Sequence, residues 1–131
     1  MFDLALLVLR ICLGIVFIAH GAQIAFGMFS GPGINGFAQM LSGMGFKPAM
    51  FWAYLSAYTE LLGGLCLVFG IFTRFAAFSI LIFMLVAVFK VHWTKGFFLQ
   101  AGGYEYNFVL ISICLALILA GPGKFAISQK F

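Results

Sequence analysis

The chain has 131 residues, 65% of them hydrophobic and only 8% charged, with a mean hydropathy of +1.20. Soluble domains are about half apolar and about a quarter charged, so this composition excludes that class; the length allows one domain, residues 1–131. The formal charge of +4 comes from basic residues scattered singly beside apolar runs. Loops between membrane spans look like this, and a nucleic-acid-binding surface does not.

The first span is expected from Leu4 to Phe26, long enough to cross a hydrocarbon core of ~30 Å. It lacks a basic region ahead of its apolar stretch and a small-residue cleavage pattern behind it, so it reads as a retained helix. Arg10, His20 and Gln23 are unusual cargo for such a segment. Residues Gly27 to Phe46 are rich in glycine, and GFAQMLSGMGF within them reads as a short helix at the interface or folded against the bundle. The second span runs from Pro48 to Ile71, with Pro48 tolerated in its first turn and Glu60 near its middle. Thr73–Arg74 is expected as a tight hairpin connection. The third span covers Phe75 to Trp93, and Lys90, His92 and Trp93 mark its exit, the tryptophan suiting an interfacial belt. After the loop TKGFFLQAGGYEY, a shorter fourth span runs from Glu105 to Ala120 and is ended by GPGK.

These runs are long and show no alternation, so a β-barrel is excluded. The expected fold is all-α: a polytopic membrane protein with a four-transmembrane-helix bundle and a short interfacial helix between spans one and two. Four spans put both termini on one side with Arg10, Arg74, Lys124 and Lys130, against Lys47, Lys90 and Lys95 on the other. That balance favours cytoplasmic termini. Cys12, Cys66 and Cys114 fall one to each of three spans with no CxxC pair, and read as small buried packing residues rather than a dithiol or metal site.

A charged side chain at membrane depth is costly and usually faces the bundle interior or a wet cavity. Measured from the loop ends of spans one and two, His20 lies roughly 9 Å deep, Glu60 about 18 Å and Arg10 about 24 Å. Glu60 is therefore expected between the two cations, within reach of either, and Gln23 shares a helix face with His20. Spans three and four add Lys90, His92, Tyr104, Glu105, Tyr106 and Asn107 on the same side. Together they predict a polar pocket that opens toward the larger loops and narrows to Glu60. Arg10 and Glu60 as a register-fixing ion pair is the alternative. The two histidines differ too much in depth to hold a haem between them.

HGAQ at His20–Gln23, GPGINGFAQML at Gly31–Leu41, ELLGGLCLVFGIFTR at Glu60–Arg74, VHWTKGFF at Val91–Phe98 and GGYEY at Gly102–Tyr106 resemble the DoxX family, in order and across nearly the whole chain. The closing GPG at Gly121–Gly123 fits as well. Members of that family are four-helix bacterial membrane proteins, often labelled oxidoreductases, with relatives in a thiosulfate:quinone oxidoreductase and among MauE-type maturation proteins. The resemblance implies a role in the bacterial inner membrane close to quinone or thiol redox chemistry, without establishing an enzyme. Its polar positions fall on Arg10, His20, Gln23, Glu60, Arg74, His92 and Glu105. Many members carry a lysine where this chain has Ile24, which disfavours an anionic ligand here.

The leading expectation is a quinone-interacting subunit or oxidoreductase component. Glu60 and His20 would be catalytic, Glu60 relaying protons and His20 donating to a quinone oxygen, with Arg10 holding Glu60 charged. Arg10, Gln23, Tyr58, His92, Trp93, Tyr104 and Glu105 would bind the ligand, aromatics such as Tyr58, Trp93 and Tyr104 sandwiching the head group. Quinone is the implied cofactor. Electrons must come from a redox partner protein, and a homodimer would help enclose the ligand in the lipid bilayer. The alternative is a non-catalytic scaffold or a small-solute carrier.

Overall fold

Apolar runs uninterrupted by proline or polar clusters form helices, and the computed structural model, which describes residues 1–130, shows them. In order they are α1 (Phe2–Phe26), α2 (Gly33–Gly43), α3 (Ala49–Phe69), α4 (Thr73–Ala87) and α5 (Glu105–Ala120), with no strand among the described residues. A π-helical turn (Val88–His92) and a 3-10 turn (Trp93–Lys95) prolong α4. Three of these columns are long and apolar enough to cross a membrane: Phe2–Phe26, Ala49–Phe69 and Thr73–Lys95. The fourth, α5, has only 16 residues, or about 24 Å of helix, and falls short of that length.

Short connections force α1, α3, α4 and α5 to run alternately up and down. The turn between α3 and α4 lies at Gly70–Phe72, just before the expected Thr73–Arg74, which instead begin α4. Gly70 sits in the left-handed region at φ 73° and ends α3 there.

Glycine sets how α1 meets α3. A Cβ on Gly14 would fall 2.7 Å from the Gly64 carbonyl oxygen, and one on Gly21 2.7 Å from the Leu61 nitrogen. The two backbones therefore touch, as small residues allow between membrane helices. This register corrects the expected depths. Gly21 stands beside Leu61, so Glu60 is level with His20 rather than between His20 and Arg10. The reason is that α3 begins about 9 Å beyond the end of α1. The protruding stretch is covered by α2, which packs Phe37, Ala38 and Leu41 against Ala53 and Ala57.

A similar stagger shortens α5. The Asn107 amide donates to the Met84 sulfur at 3.4 Å, so the first turn of α5 lies level with the end of α4 proper. The π and 3-10 turns continue past it. The loop that fills the difference clasps its own backbone, Tyr104 N–H to Gly96 oxygen at 3.0 Å and Glu105 N–H to Phe97 oxygen at 2.7 Å. At its other end α5 reaches Arg74, whose guanidinium lies against Gly121. Thus α5 ends where α4 begins.

The main apolar core draws on all four long helices, through Leu13, Phe17, Leu67, Ile80, Leu110 and Leu117 among others. The tail folds back across one end of the bundle: Ile127 and Ser128 N–H bond to the Phe69 and Gly70 oxygens, both at 3.1 Å. Large apolar side chains remain exposed around every long helix, Phe75, Phe78, Phe108 and Leu119 among them. Water would make such a surface aggregate, and lipid would not. Of the three free cysteines only Cys114 is buried; Cys12 is exposed and Cys66 half-buried, which corrects the expectation for those two.

Candidate functional site

Two charged groups lie buried at membrane depth, and they behave differently. Arg10 is wholly buried, yet it does not pair with Glu60. Its Nη2 donates to the backbone oxygen of Phe125 in the tail, and a Cβ on Gly70 would collide with its Nη1. Gly70 follows Glu60 by ten residues, about 15 Å of helix, well beyond an arginine's reach of its neighbour's carboxylate. The expectation that Arg10 holds Glu60 charged is therefore overturned. Arg10 holds the tail through that single bond, while its Nε and Nη1 are buried without a hydrogen-bond partner.

Glu60 retains only 4% of its surface, and its Oε2 is buried with no hydrogen-bond partner. It stands between the two apolar clusters, where α1 and α5 meet only loosely. His20 of α1 and Tyr106 of α5 face each other across that gap, ring centroids 6.0 Å apart. Tyr106 also lies within electrostatic reach of Glu60. One carboxyl, one imidazole and one phenol from three helices thus converge at one level.

The proton on His20 can be placed by chemistry. Its Nδ1 is 2.9 Å from the Val16 carbonyl oxygen one turn back. A carbonyl only accepts, so Nδ1 carries the hydrogen. In the neutral ring Nε2 is then an acceptor at the exposed edge. It takes a hydrogen bond from a hydroxyl, and gives one only after gaining a proton. This reverses the donor role expected of His20.

The other expected residues are dispersed. The Gln23 amide donates to the Phe29 oxygen at 3.3 Å and lies under Gly31, so it fastens the α1–α2 connection. His92 Nδ1–H donates to the Gly102 oxygen at 2.7 Å, closing the long loop onto the π turn. Trp93 and Tyr104 stack on each other with centroids 5.5 Å apart and planes 18° apart. Tyr58 stacks with Tyr54 instead, 6.3 Å away and nearly parallel. Its position two residues from Glu60 turns it to the far side of α3, where it borders the groove toward α4. Glu105 sits half-buried in the first turn of α5, where a carboxylate suits the helix dipole.

Two hollows lie elsewhere, and neither is the expected pocket above Glu60. One, of about 520 Å3, opens at the tail end; the other, of about 300 Å3, is an apolar groove between α3 and α4 beside Tyr58 and Cys66. Among the described residues no group of three or more histidines, cysteines or acids could hold a metal ion. Tyr106 is the member that sequence reasoning named without singling out. Its signal was position: the opening turn of a helix that starts deep brings it level with His20.

Against known proteins, the DoxX family model matches residues 5–93. A Bacillus subtilis (strain 168) protein named "Putative oxidoreductase CatD" is 31% identical over 116 residues, 88% of this chain and 80% of that protein. Two proteins of Haemophilus influenzae named "Uncharacterized protein" are 29% and 30% identical, each over 94% of this chain and covering 80% and 87% of those proteins. No solved structure matches.

Proposed function

The chain belongs to the DoxX family, and from that premise we propose that it binds a quinone between α1 and α5 and exchanges protons with it through Glu60. The observation that carries this reading is the partnerless, buried Oε2 of Glu60, at the level where the rings of His20 and Tyr106 meet. A buried polar atom left without a hydrogen bond is costly, and native proteins keep few of them. An intramembrane acid facing the interior is a functional candidate by default. The arrangement suits a neutral, flat ligand with two oxygens: His20 Nε2 accepts a hydroxyl hydrogen, Tyr106 donates to an oxygen, and Glu60 takes up or gives back a proton. When bound, the quinone–quinol couple supplies two-electron, two-proton chemistry. Electrons enter or leave through a redox partner protein, because the chain carries no metal-binding cluster among its described residues.

In this reading α5 crosses the membrane as a fourth span. Its ends are tied to those of α4 by the Asn107–Met84 contact and the Arg74–Gly121 contact, and local thinning of the bilayer accommodates its shortness. The membrane is the bacterial inner membrane, with the termini cytoplasmic by the balance of basic residues. A second copy closes the open side between α1 and α5, since four short helices enclose a ligand poorly.

The test is mass spectrometry of small molecules that co-purify with the detergent-extracted protein, comparing wild type with His20→Ala and Glu60→Gln. Quinone in the wild type and its loss from both equally stable variants is the expected result. Absence of quinone from all three samples would sink the reading in favour of a scaffold.

A further inference from the structure

The hollow at the tail end of the bundle is not used by the Glu60 site. Its volume is about 520 Å3, and its wall includes Phe2, Asp3 and Leu6 of α1, Arg74 of α4, and Gly123 and Lys124 of the tail. A space of this size is ample for a small ligand. Glycine keeps it open: Gly123 holds φ 79°, and a Cβ there would press to 3.2 Å from Leu6.

Two cations border the space. Arg74 and Lys124 are both exposed, and neither side chain has a hydrogen bond or ion pair among the described residues. The one acid in the wall is already engaged, Asp3 Oδ1 accepting the backbone N–H of Lys124 at 2.9 Å. Asp3 thus holds the tail in place and leaves the lysine side chain free. Arg74 stands in the first turn of α4, where the helix dipole disfavours a cation. It rests against Gly121 without donating to a carbonyl there, so helix stability does not account for its position.

The hollow also lies where an anion would arrive. Phe2, Thr73 and Ala120 are ends of apolar helices, so their level is that of lipid head groups. Phe2 is two-thirds exposed, at 67%, and gives the rim an apolar shoulder. Basic pockets between membrane helices at this level recognise anionic head groups. We propose that this hollow binds the phosphate head group of an anionic phospholipid, with Arg74 and Lys124 as its ligands and Phe2 against the acyl chain. The site is independent of the quinone reading.

The experiment is native mass spectrometry of the detergent-solubilised full chain titrated with phosphatidylglycerol or phosphatidylcholine. The wild type should retain phosphatidylglycerol about thirty-fold more, as two favourable cation contacts together imply. Arg74→Gln with Lys124→Gln should bring the two lipids level, and Lys124→Glu alone should do so in a chain whose fold is safe, because that side chain is exposed. Lys47→Gln with Lys95→Gln, at the opposite end, should leave the preference intact. A preference that survives Lys124→Glu, or that falls equally in the Lys47/Lys95 variant, overturns the site. Inorganic phosphate that displaces the lipid completely would show an ion site without lipid recognition, and would overturn the proposal too.

Discussion

The two ends of this bundle each bury a charged residue, and only one of those residues is put to structural use. At the tail end Arg10 reaches the Phe125 oxygen, and the tail backbone adds bonds to Phe69 and Gly70. The tail is tied down there, beside the open hollow at Arg74 and Lys124. At the loop end Glu60 has a buried oxygen with no partner, level with two rings that belong to different helices. Intramembrane charge alone therefore does not identify a functional site. What separates the two is that the protein's own backbone answers part of the Arg10 charge, one of three buried nitrogens, and offers nothing to the buried oxygen of Glu60.

The sharpest way to break this contrast is at Arg10. Arg10→Ala deletes a wholly buried side chain, at a cost of about 2–5 kcal/mol for comparable cavities. It also strands the Phe125 oxygen, which adds about 1–3 kcal/mol if water cannot reach it. The expected outcome is a large fall in unfolding midpoint and rapid proteolysis of the tail, with quinone content per folded molecule unchanged. Quinone lost from a variant that stays folded would return Arg10 to the ligand site.

Glu60→Gln should do the reverse. The amide keeps the shape, and removing an unpaired buried acid gives the fold nothing to lose. Quinone content should drop at least about ten-fold, a difference of ~1.4 kcal/mol, while the unfolding midpoint holds. A variant that unfolds instead would make Glu60 a structural residue like Arg10. Tyr106→Phe removes a single neutral hydrogen bond, and the expected weakening is about 0.5–1.5 kcal/mol, a few-fold loss of quinone. If quinone binds as before, the site consists of His20 and Glu60 alone.

Much of this architecture was legible in the sequence, because long apolar runs and glycine stops act locally. The start of α3 at Ala49, and both bounds of α5, follow from Pro48, Glu105 and the GPG segment. Depth did not follow. Counting residues from each helix end assumes that the ends are level, and α3 overshoots α1 by about two turns to meet α2. That stagger moved Glu60 up to His20 and away from Arg10. The role of Arg10 was hidden for a related reason: its partner is a backbone oxygen 115 residues away, which no side-chain motif announces. The π turn at Val88–His92 likewise left no pattern in the residues that form it.

The smallest expected effect is also the most discriminating, and it concerns Tyr58. Composition and proximity in sequence made it an attractive ligand aromatic, two residues from Glu60. A step of two residues on a helix turns a side chain about 200°, which directs Tyr58 away from Glu60. It stacks on Tyr54 and borders the α3–α4 groove, where lipid tails would meet it. Tyr58→Phe should therefore change neither quinone content nor the unfolding midpoint measurably, since it keeps the stacked ring and a surface change of this kind stays within about 0.5 kcal/mol. Should the phenylalanine variant lose quinone as Glu60→Gln does, the ligand would lie on the α4 side of α3. The gap between α1 and α5 would then be only a packing defect, and His20 and Tyr106 two rings that happen to face each other.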